Sequence, residues 1–439
     1  MDEQKEPQEG FSFLQEVIKE DRRKKSLPKI IFMCAVLGVV FGVTSSATFV
    51  VVKPWIEAQF AEEEVISIPS DEELIDENVE IDQEVMDEVK AEVKDEVMEE
   101  IKDELTSDTE QTEASITDYE KIYQQLYEVA QEAAKSIVTV QVEYTAEEEA
   151  QLALSVLEGE EVVTVRSVTG LVVATTSSEI LILSPTYIFE DTDKIKVKLS
   201  DGVEVLAQIK AEESILGYAI LSIDKDSVDM NAIEVAVLGN SLVVAQGEVT
   251  IAIGNQFDYE DGLGYGVISS TKNQLNLIDG SYSLISTDIP VGVEGTGILL
   301  NTSGEVIGLI NTILTDETAV DALSISQLKV IIEALSNGED IPYMGVKTVQ
   351  VTEEIAEQQL MPIGIYVQSV EAYSPALEAG IKNGDIITSV NGIDIIDTTD
   401  YQNALLNTSP GDIIEVLVQR KGKDEYVEIS IIVTIGIQQ

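Results

Sequence analysis

From Ser136 onward the chain is a string of short β-branched runs cut by turn signals, and this texture limits the fold more than any other feature. SIVTVQVEY, EVVTVRSV, LVVATTS, EILILS, KIKVKLSDGVEVLAQIKA, YAILSI, EVTIAIG, YGVISS, SLISTDI and GILLNTSGEVIGLIN follow one another with almost no helical pattern between them. Strands at this density predict an all-β barrel or sandwich arrangement. Two helices bracket the block. TDYEKIYQQLYEVAQEAAK reads as an amphipathic helix, with Thr117 as N-cap and Glu120 completing a capping box. SQLKVIIEALSNG closes it, with Ser326 as cap, Leu328, Ile331, Ile332 and Leu335 on one face, and Gly338 as the stop. Residues 339–439 read as a second, smaller β-rich unit. Its strands are MGVKTVQV, GIYVQSV, DIITSVNGIDI and EVLVQRKGKDEYVEISIIV, and SPALEAG and TTDYQNALLN are its short helices.

The N-terminal part is of another kind. Residues 1–27 are polar and end in the basic cluster Arg22 to Lys25. Ile30 to Val52 carries no charge and is long enough to cross a bilayer as a helix. We expect a membrane helix at 28–54, with Lys53 and Trp55 at the interface and the basic cluster holding the N-terminus in the cytoplasm. A cleaved signal peptide, cut near Ser45-Ser46-Ala47, is the rival reading; the long polar N-terminus and the length of the run favour an uncleaved anchor. Residues 55–116 form an acidic linker. Within it Val85, Val89, Val93, Val97, Ile101 and Leu105 recur every fourth position. Four residues overshoot a helical turn by about 40°, so this stripe drifts around a helix and forms no fixed seam. A solvated, partly helical spacer is preferred to a coiled-coil stalk.

Composition removes several function classes. The formal charge is −56, which makes nucleic acid and anionic membrane surfaces poor partners. The single cysteine, Cys34, allows neither an internal disulfide nor a thiolate metal site. There is no histidine in 439 residues, so the commonest general base and metal ligand is missing. DKDSVDMNAIE, Asp224 to Glu234, lacks an acidic residue at Val228 and the turn glycine at Asp229 of a calcium loop and reads as a surface loop. No cofactor and no metal are expected.

Several segments, in order, resemble one family. AKSIVTVQV, Leu238 to Asn240, VTIAIGNQF, Tyr265 to Ser270, Ser286 to Pro290 and Leu299 to Thr312 are similar to successive strands of the trypsin-like domain of HtrA/DegP-like proteins. Tyr343 to Val349 and Gly364 to Ile395 are similar to the PDZ domain that follows it in that family. The resemblance implies a trypsin-like double β-barrel over 117–338 and a PDZ domain over 339–439. An N-terminal anchor with an acidic spacer also fits membrane-tethered bacterial members.

The family's hydrolysis needs a serine, a histidine and an aspartate. Carried over by position, the histidine falls on Tyr187, the aspartate on Gly217, and the serine on Gly295, or on Thr296 if the register slips by one. A phenol with a pKa near about 10 is a poor base at neutral pH, and glycine offers no side chain. Thr296 lacks an adjacent base. The expected state is a degenerate triad with no catalytic residue. The PDZ part departs less. Tyr343, Met344, Gly345 and Val346 are the expected carboxylate-binding loop, whose amides hold the end of a polypeptide added as an extra strand.

The resulting expectation is a membrane-anchored, single-pass, extracytoplasmic pseudoprotease that binds polypeptide C-termini or unfolded protein. By the same resemblance it assembles as a homotrimer or with an active paralogue. The alternatives are an active serine-type endopeptidase in protein quality control, and a surface protein whose acidic stalk is the functional part.

Overall fold

The computed structural model describes residues 64–71, 116–142, 167–189, 194–257, 259–315, 318–423 and 425–437. All belong to one unit, Glu64–Gln439. The expected membrane segment and most of the acidic linker lie outside the described residues. Among the described residues no helix is long and apolar enough to cross a membrane.

The chain enters through α1 (Ile116–Ala133) and a single 3-10 turn, Ala134–Ser136. Thr117 therefore lies inside the described helix. Six strands follow: β1 (Ile137–Val142), β2 (Ser167–Thr175), β3 (Glu179–Pro185), β4 (Ile195–Lys198), β5 (Glu204–Glu213) and β6 (Tyr218–Asp224). They close into a barrel in the order β1-β2-β3-β6-β5-β4. The second barrel uses β7 (Val249–Asn255), β8 (Gly262–Leu277), β9 (Gly280–Pro290), β10 (Thr296–Leu300), β11 (Val306–Asn311) and β12 (Ala319–Ser324). Its order, β10-β11-β12-β9-β8-β7, is the same topology repeated. Closure removes free strand edges, and the near-continuous burial along β2, β3, β10 and β11 reflects packing on both faces. A short turn of helix, α2 (Thr312–Thr315), links β11 to β12.

Helix α3 (Ile325–Ser336) packs against β5 and β6 of the first barrel and β11 of the second. Leu328, Ile331, Ile332 and Leu335 are buried in the main core, as their spacing predicts, and Gly338 leaves the helix at φ 72°. The cap differs from expectation. Ser324 holds the N-cap position, and the Ser326 hydroxyl donates instead to the Asp71 carboxylate. Asp71 also accepts from Lys329 at 2.6 Å in a pair that is almost fully buried. Ile66 and Ile68 pack on the same core, and Asn337 brackets the Ile66 backbone through both its side-chain atoms. Residues 64–71, at the start of the acidic tract, are thus a strap laid along α3.

The last unit has its own core, which includes Val346, Ile365, Val367, Ile387, Val416 and Val433. Its main sheet runs β14 (Val346–Val351), β15 (Gly364–Val370), β16 (Ile386–Val390), β18 (Ile413–Lys421), β19 (Tyr426–Thr434), with β17 (Ile393–Asp394) on β16. β13 (Pro342–Tyr343) pairs with β20 (Gly436–Ile437). Helices α4 (Glu353–Gln359), α5 (Pro375–Ala379) and α6 (Thr398–Leu406) complete it. The sequence pattern gave no hint of α4, which is wholly without a buried residue. Asp397 and Asp400 form a capping box at the start of α6.

Candidate functional site

Two places were singled out by sequence. In the first, between the barrels, the structure does bring the expected positions together. Thr186, at the end of β3, donates its amide to the Gly217 carbonyl at 2.9 Å. The neighbouring Tyr187 hydroxyl reaches the Glu294 carbonyl at 3.5 Å. Tyr187, Gly217 and the loop before β10 therefore face one another across the barrel seam.

Their chemistry is poor for hydrolysis. Gly217 sits at φ 67°, a conformation that suits glycine. Burial pushes the hydroxyl of its neighbour Tyr218 well up, which keeps it protonated and no base. At Gly295 a Cβ would meet the Gln256 carbonyl oxygen at 2.6 Å and Val291 Cγ2 at 2.7 Å, so the backbone leaves no space for a serine. The Gly295 amide closes a turn on the Gly292 carbonyl, while its carbonyl accepts from the Thr312 amide at 3.1 Å. Thr296 is 1% exposed and faces the other way. Its hydroxyl accepts from the Thr169 amide at 3.0 Å, and its carbonyl accepts from the Thr169 hydroxyl at 3.1 Å. These bonds tie β10 of one barrel to β2 of the other.

The second place is the loop from Tyr343 to Val346. Gly345 turns it at φ 86°, and a Cβ there would lie 2.3 Å from Ser374 Cβ. The carbonyls of Met344 and Gly345 are taken by the amides of Ala376 and Glu371. That orientation leaves the amides of Met344, Gly345 and Val346 converging on one point. Tyr343 pairs with β20, and its amide is not among them.

The convergent amides hold a carboxylate that sequence reasoning missed. Asp279, in the two-residue turn between β8 and β9 of the second barrel, accepts from Met344 at 2.7 Å, Gly345 at 2.6 Å and Val346 at 3.0 Å. The buried Tyr401 hydroxyl of α6 donates to it at 2.8 Å. Burial raises the Asp279 carboxyl above its ordinary value, against the lowering effect of these donors. Burial and the adjacent Asp279 hold the Tyr401 hydroxyl well above its ordinary value, so it remains a donor. The Asp279 amide donates to the Val346 carbonyl at 2.8 Å, and Ile278 forms an antiparallel bridge with Lys347 at the outer edge of β14. The only sequence signal was the Asp279-Gly280 dipeptide, a hairpin marker with nothing to say what it touches.

The architecture is that of a trypsin-like double barrel followed by a PDZ domain. The trypsin-like peptidase domain family matches residues 156–309 and the PDZ domain family matches 342–431. The serine protease Do-like HtrA of Bacillus subtilis is 30% identical over 285 residues, 60% of this chain and 62% of that protein. A DegP-like serine endoprotease of Pseudomonas savastanoi pv. phaseolicola, named as periplasmic, is 29% identical over 260 residues, 57% of this chain and 53% of that protein. A solved structure, HtrA-type protease AlgW with decapeptide, superposes with a TM-score of 0.50 at 20% identity, covering 72% of this chain and 99% of that one; it shows the shared fold. The chain thus carries a trypsin-like peptidase domain and a PDZ domain and is similar to HtrA/DegP serine proteases. It spans 62% and 53% of the length of the two relatives described here.

Proposed function

We propose that this chain is an HtrA-like pseudoprotease that grips polypeptides through its PDZ domain without cutting them. One observation carries the reading: the only hydroxyl at the old nucleophile loop, that of Thr296, is buried as an acceptor for Thr169 in a chain that has no histidine. A hydroxyl nucleophile needs a base within reach, and neither Tyr187 nor Gly217 is one. The relatives are named as serine proteases, so the absence of the triad side chains, and not the fold, separates this chain from them.

The binding half rests on the amides of Met344, Gly345 and Val346, which are arranged to hold a carboxylate. Ligands are polypeptides with a free C-terminus, including unfolded chains. The domains lie outside the cytoplasm, in keeping with the periplasmic relative, behind a single N-terminal membrane helix at 28–54. Self-association as a trimer, or assembly with an active paralogue, belongs to the same proposal.

The test is incubation of the full chain with unfolded casein, alongside capture of decapeptides with free or amidated C-termini. Intact casein and selective capture of free C-termini are expected. Cleavage that disappears in Thr296→Ala would restore the endopeptidase reading.

A further inference from the structure

The hairpin tip reproduces three features of a polypeptide end seated in a PDZ groove. A carboxylate rests on the loop amides, the amide of the same residue donates to the first carbonyl of the edge strand, and the preceding residue pairs along that strand. Here the carboxylate is a side chain, that of Asp279, and the segment continues into β9 instead of ending. We propose that the β8–β9 hairpin is a tethered competitor for the groove, so that an external C-terminus is admitted only when Asp279 leaves. The inference rests on the peptide-binding reading above and adds its regulation.

Three physical points support exclusion. First, each loop amide has one proton to donate, and all three are committed to Asp279. Second, Ile278 occupies the β14 edge beside Lys347, where an added strand must pair. Third, two carboxylates cannot share the same small cluster of donors without strong repulsion. The competitor is also covalently part of the chain, which gives it a high effective concentration that a free peptide must overcome.

The tip is built to stay. Ser281 ties back to Asn276 across the turn at 2.7 Å, and Asp279 itself holds φ 55°, which an aspartate tolerates. Tyr282, directly behind it, is buried in the barrel core, and Gln327 of α3 donates to the Ser281 carbonyl and accepts from the Ser283 amide. Leu406 of α6 and Ile341 pack on that same core, so the contact is more than the tip alone. Opening therefore requires the turn to peel from the loop or the two units to part.

The experiment compares the full chain with its Asp279→Ala and Asp279→Asn variants, the second keeping the shape of the turn and one acceptor oxygen. Hydrogen exchange of the Met344, Gly345 and Val346 amides is read without ligand. Fluorescent decapeptide pools, with free and with amidated C-termini, are then titrated. We expect exchange at these amides to quicken and half-saturation by free C-termini to fall, each by about tenfold or more in Asp279→Ala and by less in Asp279→Asn. Amidated pools stay unbound throughout. Unchanged exchange would overturn the occupancy. Equal binding by all three chains would overturn the competition and leave peptide binding standing. Faster exchange with no capture of any free C-terminus would sink the peptide-binding reading, and this inference with it.

Discussion

The seam between the barrels and the carboxylate loop differ in which atoms carry their chemistry. Trypsin-like hydrolysis is performed by three side chains; on the reading proposed above, the matching positions are Tyr187, Gly217 and Gly295 or Thr296, which the fold places along one seam. Carboxylate capture is performed by backbone amides, which every residue but proline supplies. Met344, Gly345 and Val346 keep that geometry, to which the Met344 and Val346 side chains contribute only through packing. A function written in side chains is lost by a few substitutions on an intact fold. One written in the backbone persists as long as the dihedral angles do.

The largest effect expected lies where a side-chain pair does carry a contact. Asp71→Ala leaves Lys329 buried without its carboxylate, and a loss of about 3–5 kcal/mol in denaturant unfolding is expected. A loss under ~1 kcal/mol would mean that the strap does not hold α3. Next come the two glycines that define the sites. Gly345→Ala places a Cβ 2.3 Å from Ser374 and Gly295→Ala places one 2.6 Å from the Gln256 carbonyl, each expected to cost about 1–3 kcal/mol. The comparison separates them: Gly345→Ala also abolishes capture of free C-termini, whereas Gly295→Ala leaves capture unchanged. If both spare capture, the loop is not the binding site.

Thr296→Val tests the seam more finely. It keeps the shape, removes the acceptor for the Thr169 amide, and is expected to cost about 1–3 kcal/mol with no change in casein turnover. A change in turnover without a change in stability would return Thr296 to the nucleophile's role.

The smallest effect is that of pH. Burial raises the carboxyl pKa of both Asp279 and Glu213, even though each accepts backbone amides. Besides Glu213 of β5, the groups facing Asp279 are Tyr282 of β9, Tyr343 of β13 and Tyr401 of α6, all pushed upward themselves. The folded chain holds these two protons more tightly than the unfolded chain does. Their contribution to stability is therefore full below the ordinary carboxylate range and is lost as pH rises through the raised values. Thermal melts of wild type and Asp279→Asn across that window should show a shallower fall in the variant. Parallel curves would place Asp279 outside the linkage.

Much of this was legible in the chain. The β-branched runs between turn signals predicted the strands because strand preference is a local pattern, and the loop from Tyr343 to Val346 was legible only through its resemblance to a PDZ carboxylate loop, with the Tyr343 amide standing outside the cluster that the structure shows. Ser326 was misassigned as a cap because its partner Asp71 lies 255 positions away. Asp279 went unnoticed for the same reason: an Asp-Gly turn announces a hairpin, but only the packing of one unit on another places its carboxylate 66 residues on, at Gly345. Contacts made across the chain leave no periodic trace in it.

The central claim concerns covalent chemistry between the barrels, and its most direct test is an intact-mass measurement on the full chain after exposure to a fluorophosphonate. The account predicts an unchanged mass. An adduct mapping to residues 293–298 would contradict it.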